Sequence, residues 1–420
     1  MQCYVINGGR RLSGSINVQG SKNSALPILA STLLVKGQSV LHNVPVLSDT
    51  ECTLKILREL GCVVKREGNT VIVNSENATG TEISEELMRE MRSSVVFLGA
   101  ILGRHAQATI TTPGGCEIGL RPIDLHLYAV RRLGVRVDEA HGKLCCTATK
   151  GLKGCKITFS FPSVGATENA ILCSVTARGS TTVVNAAREP EIIDLCEFLN
   201  SCGAKIRGAG ESIITVEGVE QLHGGEHTVI CDRIVASTLL SAGAVTGGSV
   251  ELVNTNPFFL NSVLPVFEEM GCNVRVRCNN IFLKAPRRLN RVDKIITQPY
   301  PGFPTDSQAF FTTMAAVADG TSVIVENIFE CRFKHVAELV RMGAKIRAEG
   351  KVAVVEGVER LYGTQVQGQD LRGGAALVIA GLCAEGITRV TDAGYIDRGY
   401  TDLCGDLCAL NADARKEMQK

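Results

Sequence analysis

Six apolar windows are spread along the chain: SALPILASTLL, SVVFLGAIL, TENAILCSVTA, VASTLLSAGAV, QAFFTTMAAVA and AALVIAGLCA. Each is apolar almost all round, a pattern that predicts a buried helix. A Gly-Ser/Thr phrase and a short β-branched run follow at Gly37, Gly179, Gly247, Gly320 and Gly386, with Ala106 in the remaining slot. That run predicts a strand. An amphipathic helix comes next and ends at Gly61, Gly134, Gly203, Gly271 or Gly343, in steps of 73, 69, 68 and 72 by subtraction. A further step of 68 lands on Asn411, in a shortened last copy. In the first copy Asp49 is the expected cap, Leu54, Leu57 and Leu60 share one face, and Gly61 supplies the left-handed stop. Glu67-Gly68-Asn69 then forms the turn of a closing hairpin.

These copies predict an α/β chain of six strand-helix-strand-helix-strand repeats, arranged as two three-unit bundles with helices inside and sheets outside. A six-bladed propeller is disfavoured, because its blades have no buried helices.

Polar residues recur in the same frame. Lys22 lies 39 before Gly61, Asp232 lies 39 before Gly271 and Arg372 lies 39 before Asn411, while Arg92, Ser163 and Asp306 fall near the same slot. Each buried helix thus starts with a charged or hydroxyl residue beside free backbone N–H groups, which favour anions. A second series precedes the amphipathic helices: Arg121 and Arg398 each lie 13 before their stop, with Arg188 and Arg332 nearby. Packed with pseudo-threefold symmetry, these edges are expected to converge on a basic cleft between the two bundles. Such a cleft suits a phosphorylated small molecule or a nucleotide sugar.

Composition narrows the reading. A net charge of +1 excludes a broad basic footprint, and the absence of tryptophan with only 5% aromatics argues against nucleic-acid stacking platforms. The 17 cysteines form no CxxC pairs or metal-spaced clusters and the start lacks an apolar leader, so a reduced, cytoplasmic protein without a structural metal is expected. The apolar stretches Ser24–Val35 and Gly374–Ala384 are too short to span a bilayer, and no membrane segment is expected.

The segment TTPGGCEIGLRPIDLH, Thr111–His126, stands apart. Its prolines and glycines predict an open, lid-like loop, and Cys116 lies five residues before Arg121, a cation that favours the reactive thiolate.

This loop, with SKNSALP, SVGATENA, NAAREPEIIDL, FPTDSQAF, RFKHVAELVRMGA, DLRGGAALVIAG and IDRGY, closely resembles the UDP-N-acetylglucosamine enolpyruvyl transferases, in order and over the whole length. The resemblance implies the enolpyruvyl transferase fold: a two-domain inside-out α/β barrel of six βαβαβ-type repeats. One domain would comprise residues 21–229 and the other 1–20 with 230–420, the active site lying in the cleft between them. It also implies transfer of the enolpyruvyl group of phosphoenolpyruvate to the 3-hydroxyl of UDP-N-acetylglucosamine, the first committed step of peptidoglycan synthesis, without a cofactor. Fosfomycin would be a covalent inhibitor at Cys116.

By the same resemblance, Lys22, Arg121, Arg372 and Arg398 hold phosphoenolpyruvate and the departing phosphate, with Asp370 beside Arg372. Asn23, Asp306 and Arg332 surround the sugar, and Asp306 is the candidate base. Arg92, Arg121, Pro122, Ile123, Asp124, Leu125, Ser163, Val164, Gly165 and Ile328 contact the nucleotide. For Cys116 three roles stay open: proton donation at the methylene carbon, adduct formation, or product release. Val235, Cys331, Tyr395 and Phe161-Pro162 depart from residues common in the family. The alternatives are an enolpyruvyl transferase acting on shikimate 3-phosphate, which lacks the PGGC loop, and a catalytically altered UDP-sugar-binding paralogue.

Overall fold

In the computed structural model, residues 2–111 and 122–418 are described. They form two compact units, one built from residues 20–111 and 122–230, the other from residues 2–19 and 231–418.

Each unit is organised by three buried helices. In the first these are α1 (Lys22–Ser31), α2 (Phe97–His105) and α3 (Val164–Ser174). In the second they are α4 (Arg233–Val245), α5 (Gln308–Ala316) and α6 (Leu371–Cys383). Burial is nearly complete: every residue of α6 from Arg372 to Leu382 is shielded. Helix α2 packs on α1 and α3, and α4, α5 and α6 pack on one another. The apolar sequence windows are therefore the two cores.

The helix starts are set by side chains. The Asp232 carboxylate accepts from Ile234 N at 2.8 Å and Val235 N at 3.1 Å. Asp370 caps α6 in the same way, through Arg372 N and Gly373 N. Ser21 and Ser163 cap α1 and α3. Helices α2 and α5 are instead entered through tight turns at Arg92–Val96 and Thr305–Ser307.

Around the helices lie small sheets of one recurring order. In the first copy Glu226–Thr228 runs parallel to Gln38–His42, which pairs antiparallel with Thr70–Asn74, and that strand with Val63–Glu67. One face of each sheet is buried, as the alternation along Thr321–Val325 shows. In the second copy the parallel strand shrinks to a single bridge between Glu82 and Thr109. The shortened sixth copy is completed from far away in sequence. Gln2–Asn7 inserts between Ile387–Thr391 and Asp413–Met418, antiparallel to both. Ser13–Asn17 then runs parallel to Ser249–Val253.

The repeat punctuation has one backbone meaning. All six stop positions, from Gly61 to Asn411 at φ 75°, have positive φ, and so do the six turn positions, including Ala106 at φ 57°. One expectation fails. Asp49 does not cap the helix Ser48–Glu59; the Thr50 hydroxyl accepts from Leu47 N at 3.0 Å, and Asp49 turns inward to bind Lys22.

Candidate active site

In the unit holding residues 231–418, polar chemistry gathers at the starts of the buried helices. Asp306, in the turn entering α5, accepts from Arg332 at 2.7 Å and from Arg372 Nε at 3.2 Å on the same oxygen. Both arginines are at least 95% buried. Burial alone would raise the Asp306 pKa, but Arg372, Arg332 and Arg233 together hold it well below the usual carboxylate range. Arg372 also donates to the buried Tyr400 hydroxyl at 3.4 Å, and Tyr400 meets Thr238 of α4 at 2.8 Å. The Arg332 guanidinium lies over the Phe329 ring.

Glu326 organises the flank of this cluster. One of its oxygens accepts from Thr297, Ile328 N and Phe329 N, and the other from Thr305 beside Asp306. Ile328 thus reaches the Asp306 neighbourhood through a carboxylate the sequence reading passed over. His335 is buried against Arg332 and Asp370, and burial pushes its pKa down, leaving a neutral imidazole. Arg398 closes the short helix Ala393–Asp397, two residues before Tyr400. Two departures from residues common in the family, Tyr395 and Cys331, are exposed.

The unit of residues 20–230 has its own cluster. Lys22, at the first position of α1, is buried and pairs with Asp49 at 2.8 Å, and Asn23 follows it, half-buried. Behind them Asp194 accepts from Ser24, from His227 at 2.7 Å and from Ile230 N, fixing the first turn of α1 from its buried side.

Three of the stretches expected to contact a nucleotide, those of Arg92, 122–125 and 163–165, meet around Asn169 of α3. Its amide nitrogen lies 3.1 Å from the Val95 carbonyl, in the turn that begins at Arg92, and 2.8 Å from His126 Nδ1. His126 follows Pro122, Ile123, Asp124 and Leu125 on the helix Asp124–Arg132. Its ring lies against Gly165: a Cβ there would be 2.8 Å from the His126 Cε1. Ser163, Val164 and Gly165 thereby sit beside 122–125, held by Asn169 and His126, two residues absent from the sequence-derived set. One turn on, burial and the nearby Glu191 and Glu189 push the Glu168 carboxyl up to about 8. Cys116 and Arg121 lie outside the described residues.

Chemically, the first cluster is a carboxylate held ionised between two guanidiniums, and the second a buried ammonium at a helix start. Both suit anionic, hydroxyl-bearing ligands. Among the described residues no His/Cys/Asp/Glu group of metal-binding type occurs and no helix is long and apolar enough to cross a membrane.

Comparison with known proteins gives concordant results. The family model described as EPSP synthase (3-phosphoshikimate 1-carboxyvinyltransferase) matches residues 6–407. The UDP-N-acetylglucosamine 1-carboxyvinyltransferase 2 of Caldanaerobacter subterraneus subsp. tengcongensis is 47% identical over 410 residues, 98% of each chain. The UDP-N-acetylglucosamine 1-carboxyvinyltransferase 1 of Symbiobacterium thermophilum is also 47% identical, over 97% of this chain and 94% of its own. Among solved structures, the enolpyruvyl transferase NikO from Streptomyces tendae superposes with a TM-score of 0.89 at 26% identity, covering 99% of this chain and 98% of its own.

Proposed function

The chain belongs to the EPSP synthase (3-phosphoshikimate 1-carboxyvinyltransferase) family, and from that premise we propose that it transfers the enolpyruvyl group of phosphoenolpyruvate to the 3-hydroxyl of UDP-N-acetylglucosamine, releasing phosphate. The carrying observation is the near-complete, 47% identical match to two proteins named for that acceptor. This is the first committed step of peptidoglycan synthesis, a task for the cytoplasm.

In this reading the sugar O3 adds to C2 of phosphoenolpyruvate while C3 gains a proton. The resulting tetrahedral adduct then loses phosphate from C2 and a proton from C3. Asp306 accepts the hydroxyl hydrogen bond. The arginines beside it keep Asp306 ionised and so able to accept the proton of the 3-hydroxyl as the C–O bond forms. Lys22, Arg372 and Arg398, with Arg121, hold the carboxylate and phosphate whose charge shifts in both steps. Arg332 and Asn23 orient the sugar, Asp370 fixes the first turn of α6 and hence Arg372, and the stretches held by Asn169 take the nucleotide. The fold is read as a two-domain inside-out barrel, residues 21–229 and 1–20 with 230–420. Cys116 is the expected target of fosfomycin.

The test offers competing acceptors. Phosphate release from phosphoenolpyruvate is expected only with UDP-N-acetylglucosamine; equal turnover with shikimate 3-phosphate rejects the assignment.

A further inference from the structure

A cavity of about 500 Å³ lies in the unit of residues 231–418 at the far ends of the buried helices, away from Asp306 and Arg372. Its floor is the last turn of each helix: Ala244 of α4, Val317 just past α5 and Leu382 of α6. Its mouth is made by the linkers between repeat copies, and all three carry arginine: Arg10, the Arg287–Arg288 pair, and Arg360. The volume is that of a small-molecule site.

The other unit supplies an internal control. At the matching end of its bundle Arg104, two residues before the turn position Ala106, donates to the carbonyls of Leu33, Ser75 and Ala78 and stitches the linker to the helix ends. The equivalent positions here, two before Gly247, Gly320 and Gly386, are Val245, Ala318 and Ala384. None of these three positions is an arginine, and the guanidiniums of this end come from the linkers at the mouth instead.

The helix carbonyls are already served. Gly9 N reaches Leu382 O at 2.9 Å and Arg288 reaches Ala318 O at 3.1 Å, so the floor offers mainly side-chain carbon. Three of the guanidiniums, all exposed, have carboxylate partners: Arg10 with the half-buried Asp413, and Arg288 and Arg360 with the exposed Asp319 and Glu385. Pairs this exposed hold their guanidinium weakly. Arg287 makes no hydrogen bond or ion pair among the described residues, and Glu359 is the single carboxylate of the lining.

We propose that this cavity is a second ligand site, taking a small soluble anion with a phosphate or carboxylate head against the arginines and an apolar body on the helix ends. The planar fork of arginine fits such heads. Helix α6 has 13 residues, so at about 1.5 Å per residue the site is a full helix length from Arg372. It stands independently of the proposed reaction.

Phenyl phosphate is the probe, titrated into the methyl-labelled protein and followed by NMR. The methyls of Leu289, Val317 and Leu382 are expected to shift, with affinity about tenfold above that of inorganic phosphate. The double variant Arg287→Glu/Arg360→Glu should lose about tenfold in affinity while releasing phosphate from phosphoenolpyruvate at the normal rate. Shifts confined to Val164 and Ile328, equal binding of inorganic phosphate, or an unaltered affinity in the variant would each overturn the proposal. Should the double variant fail to fold, Arg287→Glu alone, which breaks no ion pair, carries the same comparison.

Discussion

The Tyr4 hydroxyl donates to Asp397 at 2.7 Å across 393 positions of sequence, pinning the helix that ends at Arg398 to the strand Gln2–Asn7. Lys416 grips the same Asp397 oxygen at 2.7 Å. Replacing Tyr4 by Phe leaves the lysine contact and removes a part-buried hydrogen bond, a loss of about 1 kcal/mol. If Arg398 binds phosphoenolpyruvate, Tyr4→Phe should raise KM for that substrate more than KM for the UDP-sugar. Equal changes in both would show a purely structural role.

Asp306 is the residue on which the proposed chemistry turns most. Asp306→Asn keeps the shape but leaves Arg332 and Arg372 facing a neutral amide. Turnover should fall by about 10²–10⁴-fold with nucleotide affinity little changed. Its lowered native pKa also fixes a sign. The stabilisation is fully present above the unfolded carboxylate value and is lost as pH falls toward the depressed native one. The variant should therefore show a shallower loss of thermal stability on acidification. No acid limb near neutrality should arise from Asp306.

Glu168 carries the opposite sign. Its native pKa, raised to about 8, means that the folded chain binds this proton more tightly than the unfolded one, so stability declines as pH rises from the ordinary carboxylate range to about 8. Glu168→Gln should melt a few degrees higher than the parent at pH 8 and close to it at pH 5, read by calorimetry.

Gly165→Ala tests the proposed role of 163–165 in nucleotide binding. The new methyl must displace the His126 ring from its 2.8 Å approach, disturbing the contact to Asn169. A rise in KM for the UDP-sugar with kcat nearly unchanged is expected. A fall in kcat alone would remove 163–165 from nucleotide binding.

At Ala106 a side chain occupies a left-handed position that glycine fills in the five other copies. Ala106→Gly relieves strain but loosens the unfolded chain, and the balance should be a gain of about 0.5 kcal/mol, seen as a higher melting temperature.

The repeat made much of the architecture legible. Stops from Gly61 to Asn411 and turns at Gly37 or Ala106 could be read from spacing, because positive φ leaves a mark on residue choice. Tertiary partners leave no such mark. Asp49 reads locally as a cap, yet its partner Lys22 lies 27 positions away. Asn169 and His126 hide inside helical windows, where only the assembled bundle shows that they tie three loops together. Nothing local marks Glu326, just past the strand Thr321–Val325, as the acceptor of four hydrogen bonds from Thr297, Thr305, Ile328 N and Phe329 N. Spacing set Asp306 and Arg332 in two separate polar series, and only the assembled unit shows them paired.

The strand Gln2–Asn7 also imposes an order of events on synthesis. It leaves the ribosome long before both its neighbours, Ile387–Thr391 and Asp413–Met418. The unit of residues 20–230 can mature while translation continues, whereas the other must keep an apolar ribbon, Cys3 to Ile6, waiting for its slot. A chain whose translation stops early would thus carry a finished lobe beside an unsealed one, and quality-control proteases would find the second.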